Sequence, residues 1–500
     1  MSTKEKISLV DDDHNDASSA DKHTSDVEKT AHLEVEHAGF DLPTTKKLLR
    51  KMDVHLLPFL ALLYLLSFLD RTNIGNARLA GLELDLGMTG LDYSTAVSVF
   101  FPFYVAAEIP SNIAMKRFRP SIWIPSIMVV WGIMTILLGI VHNFAGLIAV
   151  RCALGLAEGG LFPGITYYIT MWYRRHECGL RMAIFFSAAT AAGAFGGLLA
   201  RGIVEMEGLG GLGGWAWIFI LEGIVTFLIA VWAYFAMYDY PDTAKFLNTE
   251  ERTEVLRRLE HDRSVLSDEF NTKFMWDAFK DWKIYVHMFI TIGIYIPLYS
   301  ISVFLPTIVR GLGYTNNTAQ LMTVPPYVVA CVFTIAGGWF ADKQGQRGVF
   351  MIFFCILAIV GFAVLSSVDS LGAKYFACFL VTSGIYPNVP QGVAWNGNNI
   401  GGSLKRGVGI AMHVGFGNLG GAAAAFVIRP AEAPHYRSGH LILMSTTAMS
   451  CVLSIFMTIY LRRENARRNA THKPISEYTY SEMEQEKDNG DSATFFRYTV

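Results

Sequence analysis

The chain has 500 residues, of which 52% are hydrophobic and only 17% are charged, and its mean hydropathy is positive. This composition excludes an ordinary soluble domain, and a net charge of −2 gives no reason to expect a nucleic-acid partner. Six isolated cysteines without paired spacing predict neither a disulfide framework nor a metal site. We therefore expect a protein of the lipid bilayer, with no cofactor and no metal.

The chain begins with a polar, acidic segment, residues 1–46, which predicts a disordered tail rather than a cleaved leader. After it, apolar runs long enough to cross about 30 Å of hydrocarbon recur twelve times. Their centres lie near Leu62, Tyr104, Val130, Gly160, Ala192, Val225, Ile294, Ala330, Ile359, Thr382, Gly417 and Ser454. The sequence thus predicts twelve transmembrane helices, six in each half.

A polar segment separates the two sets of six. It predicts an N-terminal bundle over 47–238, a central loop over 239–283 with an amphipathic helix from Thr249, and a C-terminal bundle over 284–462. Lysine and arginine concentrate in the loops after spans two, four, eight and ten and in the tail 463–500, which we call the predicted cytoplasmic side. Both termini are expected there, in the plasma membrane or alternatively the vacuolar one, and the Asn316 glycosylation sequon falls on the opposite side.

Span four contains two charged residues inside an apolar run. Arg151 and Glu158 are seven residues apart, so they share a helix face about 10 Å apart along the axis, too far to neutralise each other. Gly155 between them predicts an open notch. A charge in hydrocarbon needs a partner or a water-filled cavity, so the pair indicates a functional site; an interhelical ion pair that only holds helices together is the alternative.

Span one ends in LLYLLSFLDRTNIGNA, where Asp70 and Arg71 adjoin. Two arginines can hold a carboxylate with their planar donors, and two carboxylic acids beside them can take up and release protons. Asp70 is alternatively a helix-terminal charge at the outer interface. Tyr104 and Asn418 are candidates to line a central cavity, with helix packing as the alternative, whereas Glu108 and Glu222 are interpreted as packing or gate residues.

The two halves show a faint repeat, because aligning Pro163 with Pro387 sets AEGGLFPG over VTSGIYPN. Such symmetry is typical of transporters whose site lies between the halves. After span eight, GGWFADKQGQRG contains Asp342, Gly345 and Arg347 in the spacing of the major facilitator superfamily loop, which predicts a conformational gate.

The joint occurrence of LDRTNIGNA, EIPSNIAMKRFRPSIW, RCALGLAEGGLFPG, WAWIFILEG and DYPDTAKFLNTEER resembles the fungal anion:cation symporter family, with its allantoate, nicotinate and pantothenate permeases. The resemblance spans about Lys47 to Arg463. It implies an all-α polytopic membrane protein with the major facilitator fold, twelve transmembrane helices in two six-helix bundles. It also implies that Asp70 and Glu158 couple protons and that Arg71 and Arg151 serve the anion.

The expected activity is therefore transport, not enzymatic catalysis: import of a small organic carboxylate anion with protons by alternating access, by a protein that functions as a monomer. A proton-antiport exporter of a metabolite or drug would share the fold and the acids. A nutrient sensor that binds without transporting is the third alternative, and the short tail after Arg463 speaks against it.

Overall fold

The computed structural model describes residues 40–89, 91–174, 177–264, 272–433, 435–474 and 477–500. Residues 1–39 of the predicted tail and 265–271 of the predicted central loop lie outside these ranges. The regular elements within them are all helices, which confirms the all-α prediction. The chain divides into two compact units, Met1–Lys51 and Met52–Val500, and every site discussed below belongs to the second.

The helices follow one another in two series. The first half contains α1 Leu42–Leu79, α2 Leu82–Asp85, α3 Asp92–Ser98, α4 Phe100–Arg117, α5 Pro120–Leu138, α6 Phe144–Glu158, α7 Leu161–Trp172, α8 Cys178–Val204 and α9 Gly214–Ala236. Between the halves lie α10 Thr249–Ser264 and α11 Thr272–Lys280. The second half contains α12 Trp282–Gly311, α13 Asn316–Met322, α14 Val324–Gln344, α15 Gly348–Ser367, α16 Leu371–Ile385, α17 Asn388–Asn398, α18 Ser403–Ala424, α19 Arg437–Thr471 and α20 Tyr480–Gln485.

These helices cover all twelve predicted spans. Within the described ranges, nine helical segments are long and apolar enough to cross a membrane. The other three spans are α4, the pair α16 and α17, and α18. Helix α4 contains Glu108 and ends in a basic turn, α16 and α17 are separated by a break, and α18 begins with Lys405 and Arg406. These charges and this break account for the absence of the three spans from the nine segments.

Local capping explains where two helices begin. The Asp41 side chain accepts a hydrogen bond from the Thr44 backbone N–H at 3.1 Å, so α1 begins at Leu42, inside the predicted tail 1–46. Helix α10 confirms that a helix begins at Thr249, as predicted. Asn248 and Glu251 cap it reciprocally, each side chain accepting from the other's backbone N–H at 2.7 and 3.0 Å.

Spans four and ten are both broken near the aligned prolines. Proline has no N–H, so Pro163 and Pro387 each remove one helical hydrogen bond, and the breaks fall between α6 and α7 and between α16 and α17. Just before the first break, a Cβ at Gly155 would collide with the Phe100 carbonyl oxygen. The open notch predicted at Gly155 is therefore wrong, because the backbone of α4 fills it.

The predicted tail 463–500 is a folded part of the second half. Its first residues continue α19, and its last ones pack into an apolar cluster at the ends of α12, α15, α17 and α19. The cluster contains Ile290, Met351, Trp395, Met457, Leu461, Ala493, Phe495, Phe496 and Tyr498. Trp395 Nε1 donates to the Thr499 carbonyl at 2.9 Å, and Arg468 Nη1 donates to the carbonyls of Asp491 and Phe496 at 3.0 Å each. We call residues 477–500 the docked segment.

Asp491 joins the docked segment to two helices, since it accepts hydrogen bonds from Lys283 on α12 and, at 2.5 Å, from Lys405 on α18. Burial opposes its ionisation, but the two lysines outweigh burial and hold the pKa of Asp491 below its usual value. Its contribution to stability is therefore present above a pH of about 4 and is lost as the pH falls through the lowered folded-state pKa.

We expect Asp491→Asn to destabilise the purified protein by about 2 kcal/mol at neutral pH, because two charged donors lose their acceptor. Asp281 still accepts from Lys405 at 2.7 Å, which limits the loss. The measurement is thermal unfolding in detergent followed by tryptophan fluorescence. Asp488→Asn, the same change at an exposed position, is the control. Equal melting temperatures for the two variants would show that the segment is not held through Asp491.

Candidate functional site

A small cavity of ≈ 10 Å³, with room for about one water molecule, lies between the two halves. The first half contributes lining residues from α1, α4, α7 and α8, and the second half contributes them from α12 and α18. They are Tyr64, Arg71, Tyr104, Phe162, Phe186, Tyr295, Leu298, Tyr299 and Asn418. All nine are buried. The cavity is thus mostly aromatic, with one charged side chain among its lining residues.

That charged side chain, Arg71, is held on several sides. Its Nη2 forms an ion pair with Glu158 Oε1, and its Nη1 donates to the Tyr299 hydroxyl at 3.1 Å. The guanidinium carbon lies 4.9 Å from the centre of the Tyr104 ring and 5.3 Å from that of Phe100, within cation–π distance. A planar cation in this position can hold a carboxylate while aromatic surfaces cover the rest of the ligand.

Glu158 is fully buried at the end of α6, directly before the break in span four. Its Oε1 accepts from both Arg71 and Ser67, which lie one turn apart on α1. Its Oε2 has no hydrogen-bond partner among the described residues. Glu158 therefore neutralises Arg71 while keeping an acceptor position open.

The hydrogen bonds continue from the first half into the second. The Tyr299 hydroxyl, which accepts from Arg71, donates to Asn418 Oδ1 at 2.7 Å. Glu158 and Arg71 belong to the first half, whereas Tyr299 and Asn418 belong to α12 and α18. Any movement that separates the halves here must break the bond between Arg71 and Tyr299.

Asp70 points away from the cavity, because neighbouring helical residues project about 100° apart. Trp131 Nε1 on α5 donates to its Oδ2 at 2.6 Å, and Thr226 on α9 lies 3.3 Å from the same oxygen. Asp70 is only 1% exposed, so it is not a charge at the outer surface. One turn further along α1, Asn73 donates to Glu222. These residues form a separate polar cluster inside the first half.

Arg151 also lies outside the set of cavity-lining residues. Its Nε donates to the Ala96 carbonyl at 3.1 Å, and its guanidinium carbon lies 5.1 Å from the centre of the Phe100 ring. Its Nη1 has no partner within the described chain. The structure therefore brings Arg71, Tyr104 and Asn418 together in the cavity with Glu158 behind them, and it places Arg151 and Asp70 elsewhere.

The three candidate gate residues meet at the predicted cytoplasmic side. Gly345 ends α14 with a φ of +63°, a left-handed conformation that favours glycine, and thereby turns the chain so that Arg347 pairs with Asp342. Asp342 Oδ2 also accepts from the Leu180 backbone N–H at the start of α8, at 2.6 Å. This contact joins the first half to the second below the cavity.

Sequence reasoning missed most of the aromatic lining. Tyr295 and Tyr299 are four residues apart on α12, and Ser67 and Arg71 have the same spacing on α1, so each pair shares one helix face. That spacing is the signal that the sequence offers. It does not indicate which face meets the cavity.

Residues 60–425 match the model of the Major Facilitator Superfamily. An uncharacterized transporter of Schizosaccharomyces pombe is 34% identical over 95% of this chain and 95% of its own length. The high-affinity nicotinic acid transporter of Saccharomyces cerevisiae is 33% identical over 86% of this chain and 80% of its own. The solved structure of a proton:xylose symporter has the same fold, with a TM-score of 0.62 at 14% identity over 81% of this chain and 95% of that one. This chain accordingly belongs to the Major Facilitator Superfamily and is a multi-pass membrane transporter, not an enzyme.

Proposed function

We propose that the protein imports a small organic carboxylate together with protons by alternating access. The observation that carries the proposal is the buried Arg71 guanidinium among the buried aromatic residues that line the small cavity between the two halves. An arginine is always charged and offers paired donors that match a carboxylate. Tyr104 and Asn418 are the proposed substrate contacts beside it. The nicotinic acid transporter is named for a small aromatic carboxylate, which would suit such a lining.

The ion pair between Arg71 and Glu158 explains how proton binding can be coupled to anion binding. A substrate carboxylate and Glu158 compete for the same guanidinium. When Glu158 takes up a proton, it loses its charge and Arg71 becomes available to the anion. Proton binding and anion binding therefore favour each other, and this effect is reciprocal. With substrate and proton released, Glu158 pairs with Arg71 again, and the empty carrier can return.

The other candidate residues act at a distance from the substrate in this proposal. Asp70 is a second proton-coupling acid inside the first half, held by Trp131. Arg151 supports the anion site through the Phe100 ring that both arginines contact. Asp342, Gly345 and Arg347 act as the inner gate. The proposal places the protein in the plasma membrane as a monomer with both termini in the cytoplasm.

Uptake assays test this function. A panel of labelled carboxylates is offered to a host that lacks its own carriers, at an acidic and at a neutral external pH. We expect uptake of at least one carboxylate to be faster at acidic pH and to stop when a protonophore collapses the gradient. Uptake that changes neither with external pH nor with the protonophore would contradict proton symport. Proton-driven efflux would support the exporter instead.

A further inference from the structure

Glu108 is a buried acid to which the coupling scheme gives no role. It lies on α4, is 1% exposed, and neither of its carboxylate oxygens has a hydrogen-bond partner among the described residues. Burial of an unpartnered carboxyl group is costly, so a residue of this kind needs a compensating contact at some stage of its function.

The position of Glu108 places it at the edge of the cavity. It follows Tyr104, a lining residue, by one helical turn, about 6 Å along α4 towards the predicted cytoplasmic side. It interacts electrostatically with three of the lining tyrosines, Tyr104, Tyr295 and Tyr299. Arg71 lies near the opposite end of its own helix, towards the outer side. Arg71 thus lines the cavity towards one membrane side, and Glu108, which is not itself a lining residue, lies one turn beyond Tyr104 towards the other.

Helix α18 of the second half lies against Glu108 and carries a polar side chain there. A Cβ built on Gly415 of α18 would lie 3.4 Å from Glu108 Oε2, so α4 and α18 are in close contact here. Asn418, one turn further along α18, lies beside Glu108, although no hydrogen bond joins them. Its Oδ1 already accepts from Tyr299, so only its amide nitrogen is free to serve Glu108. Neither carboxylate oxygen accepts a hydrogen bond from the described residues, which leaves Glu108 with unused acceptor capacity.

The geometry points to a second recognition group, and we propose that Glu108 accepts a hydrogen bond from an N–H or O–H group of the substrate, at the end opposite the carboxylate that Arg71 holds. This inference rests on the proposed function. It names Glu108 as a specificity-determining residue and makes the preferred substrate a small carboxylate with a donor group at its far end. A carboxylate without that donor would leave Glu108 unpaired, and a site built to pair a polar group rejects such analogues.

Matched probes test the inference. Succinamate and levulinate differ in an NH₂ group replaced by CH₃, and glutaramate and 5-oxohexanoate repeat the comparison with a chain one carbon longer. Binding to the purified protein is measured as ligand-induced thermal stabilisation. We expect the wild type to bind at least one amide about tenfold more tightly than its methyl ketone, since a hydrogen bond to a carboxylate is worth about that factor.

Glu108→Gln should reduce this preference, because a hydrogen bond to a neutral amide oxygen is weaker than one to a carboxylate, and it should still bind the methyl ketone, which shows that the variant is folded. Glu222→Gln changes a buried acid of the other polar cluster and should keep the preference. Equal binding of both members of each pair by the wild type, or an undiminished preference in Glu108→Gln, overturns the inference about Glu108. If the wild type binds none of the four probes, the carboxylate site itself is refuted, and the inference falls with the proposed function.

Discussion

Glu158→Gln is expected to abolish proton-driven accumulation of substrate while exchange of internal for external substrate continues. Glutamine resembles the protonated acid, so Arg71 stays available to the anion, but the charge that must pair with Arg71 in the empty carrier is gone. Exchange does not require the empty carrier to return. For the same reason, substrate affinity in this variant should no longer depend on pH.

Reconstituted vesicles allow both modes to be measured on one preparation, as accumulation against an imposed proton gradient and as counterflow without one. Glu222→Gln is the matched control, because Glu222 is a buried acid that pairs with Asn73 rather than Arg71. If Glu158→Gln accumulates substrate as well as the wild type and with the same pH dependence, Glu158 is only a structural partner of Arg71. Asp70 would then be the next candidate for the coupling acid.

The second large effect is expected at Arg71. Arg71→Lys keeps the positive charge but loses the planar set of donors that reaches Glu158 and Tyr299 at once. We expect the apparent affinity for substrate to fall at least about tenfold, the cost of one charge-assisted hydrogen bond. The measurement is concentration-dependent uptake, normalised to the amount of protein at the membrane.

Arg151→Lys is the informative comparison. Arg151 donates to a backbone carbonyl and contacts Phe100, but it does not line the cavity, so its substitution should weaken uptake less. Arg181→Lys disturbs a buried arginine that pairs with Asp53, at 2.8 and 2.9 Å, and controls for general damage to the fold. A larger loss at Arg151 than at Arg71 would contradict the placement of the anion site.

The sequence was enough to predict the number of spans and the loop motif that contains Asp342 and Arg347, because hydropathy and charge are properties of the local sequence. It also predicted that Glu158 and Arg151 would not neutralise each other, which follows from helical rise alone. Their actual partners depend on distant helices. Glu158 meets Arg71 only because α6 packs against α1, and no local pattern shows that contact.

The open notch at Gly155 and the placement of Asp70 beside the anion site were both predicted wrongly, because each depends on how distant helices pack. A missing side chain at Gly155 is compatible with an empty space or with a close backbone, and the approach of α4 decides between them. Likewise, Asp70 and Arg71 are neighbours in sequence but face different helices. The packing of the docked segment was not predicted because its composition is mostly polar. Its aromatic residues near Tyr498, which pack into the apolar cluster, are the part of its sequence that indicates burial.

The ion pair between Arg71 and Glu158 has an electrical consequence. A paired cation and anion contribute no net charge, so the membrane voltage does no work on this pair when the empty carrier returns. A monovalent anion bound with one proton is likewise neutral in sum, and its uptake would follow the pH gradient alone. A second proton, taken up at Asp70, would add one charge to each cycle, worth about 2.3 kcal/mol per 100 mV. Measuring the charge moved per substrate molecule, as substrate-induced current, would then give the number of protons transported in each cycle.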